Sequence, residues 1–193
     1  MKSKKRLPSR CNTPLKPGYR PEMEDSCELK ADGLQYYQEF FGVLRWMVEL
    51  GRVDILLETS LMSAHLALTR LGHLEQLIYI FGYLKAHPNR KLAFYAAHPN
   101  IDERRFKNYD WYDFYRRAKE AIPTDCPEAL GKSMSTHCFV DSDLTGNLIS
   151  RRIHTGVLIF CNRAPVIWHS KRQNSVESST FGSEIIAFFK LGD

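Results

Sequence analysis

Two carboxylates in this chain have the type and setting that metal-dependent phosphodiester chemistry asks for. Asp141 closes a short apolar run, His137-Cys138-Phe139-Val140-Asp141, which passes into Ser142-Asp143-Leu144-Thr145-Gly146. Glu184 stands downstream in Ser179-Thr180-Phe181-Gly182-Ser183-Glu184-Ile185-Ile186-Ala187. Cutting a phosphodiester with two metals takes several carboxylates converging on hard cations, Mg²⁺ or Mn²⁺, about 4 Å apart. A strand end is a rigid mount for one carboxylate, and a helix crossing the sheet brings a second to the same point. Asp143 shares the face of Asp141 if the strand continues, which makes it a reserve ligand. Glu177, ahead of the helix, is a weaker one. The same residues also have plainer readings. Asp-x-Asp before Gly is ordinary turn chemistry, and a Glu early in a helix favours the positive end of the helix dipole.

The elements that must position these residues follow from periodicity. Three strands are expected, at His137–Asp141, Thr155–Cys161 and from Pro165 through Trp168, with a turn at Asn162-Arg163-Ala164. Ser178 or Ser179 caps a helix that runs toward Lys190. The order is strand, strand, strand, helix, joined by antiparallel hairpins. Upstream, residues 32–86 read as helices. Asp32 with Gln35 forms a capping box, Tyr36, Tyr37, Phe40, Phe41, Leu44, Met47 and Val48 recur at helical spacing, and Gly51 ends the run. A second helix is expected over about 54–68, and a third from Gly72 to the stop at His87-Pro88. Short connections make these a small bundle, with Arg45, Glu49, Arg52 and Asp54 as charge partners near its surface. Lys91–Ala96 is a short strand candidate. The aromatics and arginines of 108–117 form either a base-stacking surface or a short helix whose rings pack on a neighbour. Residues 1–30, with Pro8, Pro14, Pro17 and Pro21, read as an extended, poorly packed leader.

Composition bounds the function classes. Hydrophobic residues make up 44% and aromatics 12% of the 193 positions, which is globular rather than disordered. No apolar run reaches the roughly 18 residues needed to span a bilayer, and no signal-peptide core follows the basic start. A cytoplasmic or nuclear protein with no membrane partner is the expectation. The net charge of +5 belongs to the start of the chain, because residues 1–21 hold seven Lys or Arg and no acid. Such a tail docks on phosphate, serves as a nuclear import signal or is merely a solvated leader. The five cysteines contain no CxxC pair, which argues against a disulfide framework. Cys138 and Cys161 are expected in the core. A zinc site at His137 and Cys138 is disfavoured, since adjacent strand residues point to opposite faces.

Four motifs in order then carry a resemblance: Asp141-Ser142-Asp143-Leu144-Thr145-Gly146; Arg151-Arg152-Ile153-His154-Thr155-Gly156; Val166-Ile167-Trp168-His169-Ser170-Lys171-Arg172-Gln173; and Ser179-Thr180-Phe181-Gly182-Ser183-Glu184. They resemble the ribonuclease H domain of copia-type retrotransposon polyproteins. Upstream, Pro14–Glu22, Tyr36–Trp46, Arg52–Ile55 and Gly72–Leu74 resemble the region that joins reverse transcriptase to ribonuclease H in the same polyproteins. The resemblance implies a mixed α+β chain: a basic Pro-rich leader over 1–30, a helical connection block over 31–96, a linker with a short helix over 97–132, and a ribonuclease H-like unit over 133–193. It implies Asp141 and Glu184 as catalytic metal ligands for Mg²⁺ or Mn²⁺, with Asp143 in reserve. Lys171 and Arg172 would approach the backbone of an RNA–DNA hybrid. The remainder of the polyprotein and nucleic acid are the implied partners.

Departures from the family pattern qualify the activity. The polymerase Tyr-x-Asp-Asp motif does not occur, and Ser142 and Thr145 stand where the family has Ala. The family's third catalytic Asp lies on a further strand, whereas nine residues follow Glu184 here. The expectation is therefore a truncated ribonuclease H-like unit of three antiparallel strands and one helix, ancestrally a hydrolase of RNA in RNA–DNA hybrids and inactive alone. The alternative is a non-catalytic nucleic-acid-binding or structural module.

Overall fold

A computed structural model describes residues 7–8, 11–100, 110, 112–118, 123–127, 131–143 and 147–189. The expected turn at 144–146, the basic residues at 2–6 and 10, the aromatics at 109 and 111, and the helix end at Lys190 lie outside the described residues. The fold is mixed α+β: among the described residues, five α-helices and one three-stranded antiparallel sheet.

Helix α1 spans Ala31–Glu49 and buries Tyr37, Phe41, Leu44 and Val48, the inner stripe of its apolar pattern. Its N-cap is Lys30 and not Asp32, which sits inside the first turn, where a carboxylate complements the dipole. Gln35 donates instead to Glu39 Oε1, one turn along the helix (2.9 Å). Gly51 follows the helix at φ +104, a conformation that glycine adopts without strain, and its N–H returns to the Val48 carbonyl at 2.9 Å. Helix α2, Leu56–Ser63, is shorter than expected. A 3-10 turn at Val53–Ile55 precedes it, and the chain bends at Ala64 and His65, whose N–H groups turn back to Leu61 and Met62. Helix α3 spans Leu71–Ala86 and ends before Pro88, as the stop signal predicts. Arg52 grips Asp54 with two hydrogen bonds of 2.8 and 2.9 Å, and Tyr83 donates its hydroxyl to the same carboxylate.

The leader is a correction. Residues 11–29 are docked, not extended and loose. Cys11 is buried and joins the core of the helical block, and His87 Nε2 bonds its carbonyl. Leu29 N–H reaches Thr69 O, and Leu71 N–H reaches Cys27 O. Gly82 of α3 makes this approach feasible. A Cβ there would stand 3.0 Å from Cys11 Sγ and 3.1 Å from Pro8 Cδ. Pro-rich composition reports stiffness, not whether a distant helix offers a groove.

Lys91–Ala96 is not a strand. Phe94 and Tyr95 are exposed, and the segment is tied down by Asn162 Nδ2 donating to Ala96 O rather than by a ladder. Helix α4 is a single turn, Tyr112–Tyr115, with Tyr112 and Phe114 exposed rather than packed inward.

Strand β1 (Thr136–Asp143) pairs with β2 (His154–Cys161), and β2 with β3 (Ala164–Arg172), in the order β1-β2-β3. The pairing runs in full to Asp143, so Asp141 sits within the ladder opposite Gly156 rather than at its end. Cys138 is exposed and Cys161 only half-buried, which corrects their expected place in the core. Helix α5 spans Thr180–Phe189, with Ser179 Oγ accepting the Gly182 N–H as its cap.

Each face of the sheet is partly covered by helices, with Phe139 and Ile167 left exposed. Alternation puts Ser142, Thr155 and Lys171 on one face, and Asp141, Asp143, His154, Trp168 and Arg172 on the other. Helix α5 lies on the first face. The helical block lies on the second, where Trp168 packs against its core and donates its indole N–H to Val48 O at 2.9 Å. Ser60 of α2 donates to the outward carbonyl of Ser170 at 2.8 Å and so satisfies part of the β3 edge.

Candidate functional site

The site lies where α5 crosses the sheet. Ser142 is buried on β1, and its hydroxyl donates to Ser183 Oγ at 3.0 Å. Ser183 in turn donates to Thr180 O at 2.6 Å, inside the first turn of α5. Asp141 and Glu184 are the immediate sequence neighbours of this pair. The contact therefore brings together the strand segment and the helix segment that carry the two predicted carboxylates. Asp141 is exposed on the side of the strand opposite Ser142, and Glu184 is half-exposed on α5. Asp143 is exposed two positions on, on the Asp141 face.

Gln173 holds the same junction from β3. It is fully buried, and its Nε2 donates both to Thr155 Oγ1 at 2.9 Å and to Ser183 O at 3.2 Å. Its backbone N–H bonds Ile153 O at 2.7 Å. The motif residues Gln173, Thr155 and Ser183 are thus one hydrogen-bonded unit that fixes α5 over the sheet. Glu177 stands against Gly182, where an added Cβ would meet its Oε2 at 3.0 Å, so it belongs to the start of α5 and not to the strand side.

On the opposite face, Asp143, His154 and Arg172 form one cross-strand row. His154 is buried, and burial together with the Arg172 charge holds its pKa below the usual imidazole value, against the opposing pull of Asp143 and Glu22. Burial and His73, stacked on it at 4.1 Å between ring centres, push the His65 pKa down to about 4. Arg172 acts on both rings, so it belongs to the seam between sheet and helical block. Its neighbour Lys171, opposite Thr155, projects from the exposed edge. The two basic residues expected to share a nucleic-acid backbone thus leave β3 on different faces.

Asp141, Asp143 and Glu184 are hard oxygen donors of the kind Mg²⁺ and Mn²⁺ take; the Ser142–Ser183 contact joins the strand and the helix that carry them, while Asp141 and Asp143 leave β1 on the face away from α5. Among the described residues, no group of three or more His, Cys, Asp or Glu side chains is gathered to hold a metal. Asp141 and Asp143 share one face of β1, and Glu184 stands on the helix that covers the other face. Magnesium is commonly held by one or two carboxylates together with substrate phosphate rather than by a closed cage of protein ligands.

Sequence reasoning found the carboxylates but missed Ser142, Thr155, Gln173 and Ser183 as the parts that align them. The available signal was polarity: a serine between the two aspartates at 142, and a serine just before Glu184. No described helix is long and apolar enough to cross a membrane. No known protein family, curated protein sequence or solved structure matches the chain.

Proposed function

We propose that this chain belongs to the reverse transcriptase/ribonuclease H region of a copia-type retrotransposon polyprotein, comprising its connection region and part of its ribonuclease H domain, and that it binds RNA–DNA hybrids without cutting them on its own. In this reading Asp141 and Glu184 hold a divalent cation against a backbone phosphate of the hybrid, with Asp143 as an auxiliary ligand. The ancestral reaction is hydrolysis of the RNA strand. The observation that carries the reading is the Ser142–Ser183 contact, which joins the strand bearing Asp141 to the helix bearing Glu184 at the spacing of the sequence motifs.

The cation, when bound, supplies charge neutralisation at phosphate. The protein's own part is orientation: Gln173 and Ser183 fix α5, and with it Glu184, relative to β1. The second reading, a structural module, is favoured by the extent to which the helical block and the sheet share Trp168. The test is incubation of the purified chain with a labelled RNA–DNA hybrid and Mg²⁺ or Mn²⁺. No cleavage above that of Asp141→Asn is expected, and cleavage abolished by that substitution contradicts the non-cutting assignment.

A further inference from the structure

Strand β1 borders the sheet, and among the described residues it pairs with β2 alone. The ladder shows which of its backbone groups face outward. The Asn162 N–H bonds Ser135 O at 2.7 Å, and these two residues extend the register in which Thr136 faces Cys161. Along an antiparallel strand, residues bonded to one neighbour alternate with residues that are not. His137, Phe139, Asp141 and Asp143 therefore turn their N–H and C=O groups to β2, and Thr136, Cys138, Val140 and Ser142 turn theirs to the open edge. The edge holds neither Lys nor Pro, the residues that commonly blunt one. Apolar surface flanks it. Phe139 is 59% exposed. On α5, which rests on β1, Phe181, Ile185, Phe188 and Phe189 form an outward stripe at helical spacing, opposite the buried Ser183 and Ala187.

We propose that this edge takes the β1 strand of a second copy of the chain, paired antiparallel about a two-fold axis at Phe139. Only registers centred on a residue join outward-facing groups to outward-facing groups with matching side-chain faces. Those centred on Phe139 or Val140 use most of the strand. Centring on Val140 sets each Asp141 against the second copy's Phe139, a carboxylate against a ring. Centring on Phe139 sets ring against ring. It also places each His137, a hydrogen-bond donor, opposite the second copy's Asp141, and each Asp143 opposite Ser135, while Cys138 and Val140 exchange backbone hydrogen bonds across the axis. The two α5 helices then lie side by side on one face, because each rests on its own β1. The helical block meets the sheet at β3 and stands clear of the axis. The exposed parts of Phe139, Phe181, Phe188 and Phe189 amount to roughly 500 Å², a large share of the ~800 Å² per partner of a standard interface. The association shares Asp141 with the hybrid-binding reading but needs no cation and no nucleic acid.

The test is sedimentation equilibrium of the full chain at tens of micromolar in EDTA, without nucleic acid. The mass of two chains is expected. Cys138→Pro removes an N–H that only the second copy uses and spares the β2 ladder, and Phe139→Lys puts two like charges at the axis. Each is expected to return the mass to one chain with an unchanged circular dichroism spectrum. Disulfide trapping gives a second readout, in a background where Cys27, Cys126, Cys138 and Cys161 are serine. Phe139→Cys is expected to cross-link on mild oxidation, since non-bonded pairs stand about 4.5 Å apart at Cα. Asp141→Cys, four residues off its own copy, is expected not to. A monomer at this concentration overturns the proposal and leaves the edge to a strand of another sequence. A dimer that survives both substitutions, cross-linking at 141 rather than 139, or a mass that grows without limit overturns it too. None of these outcomes touches the hybrid-binding reading.

Discussion

Ser142 and Ser183 hold β1 and α5 together by a hydroxyl-to-hydroxyl bond of 3.0 Å, and the bond has a direction. Ser142 donates to Ser183, whose own proton goes to Thr180 O. The two serines are therefore not equivalent. Ser183→Ala leaves the buried Ser142 hydroxyl without an acceptor, a loss of about 1–3 kcal/mol. Ser142→Ala removes only a donor from an oxygen whose proton is already placed, and costs about 1 kcal/mol or less. Urea denaturation of both variants and of the double alanine variant checks the order. The double variant is expected to be more stable than Ser183→Ala alone, because alanine at 142 leaves no buried hydroxyl to satisfy.

Trp168 joins the sheet to the helical block. Trp168→Phe keeps a ring and loses the bond to Val48 O, at a cost of about 1 kcal/mol. Trp168→Ala adds a cavity and is expected to cost about 3 kcal/mol or more. If sheet and helices are one cooperative unit, circular dichroism and residual Trp fluorescence report the same shifted midpoint. Two separate transitions in the wild-type chain would show that the layers fold independently.

Gly82→Ala is expected to push Pro8 and Cys11 off α3, since its methyl would lie 3.0 Å from Cys11 Sγ and 3.2 Å from the Pro8 carbonyl. Overpacking of this kind costs about 1–3 kcal/mol. The specific readout is the Cys11 thiol, buried in the wild type, which becomes reactive toward a thiol reagent under native conditions.

Acid is expected to weaken the seam between sheet and helices. The His65 pKa in the fold, about 4, lies below its ordinary 6.5, so the unfolded chain binds the extra proton first. Stability is therefore full above about pH 6.5 and declines as pH falls toward 4. His154 acts in the same direction. Thermal midpoints of wild type and His65→Gln between pH 7 and 4 check this, and the variant is expected to show the shallower decline.

The sequence made some parts of this molecule legible and hid others, for physical reasons. α1 and α3 were readable because local rules define both their apolar stripes and their ends, Gly51 and Pro88. The hairpins were readable because Asn162-Arg163 is a turn between two β-rich runs. The docking of Cys11 beside Gly82, and the failure of 91–96 to find a strand partner, depend on contacts between distant residues that no local pattern encodes. The site divides in the same way. Asp141 and Glu184 stood out by chemical type. The joining of the two elements that carry them depends on a serine pair and a buried glutamine, each ordinary in its own segment.

The central claim is that Asp141 and Glu184 share a cation with a bound hybrid. The most direct measurement is the affinity of a labelled RNA–DNA hybrid for the chain as Mn²⁺ replaces EDTA, with the RNA strand checked for cleavage in the same samples. Mn²⁺ is expected to tighten binding to the wild type, Asp141→Asn and Glu184→Gln are each expected to remove the gain, and the RNA is expected to remain intact. Binding indifferent to Mn²⁺, or a gain that survives both substitutions, would contradict it.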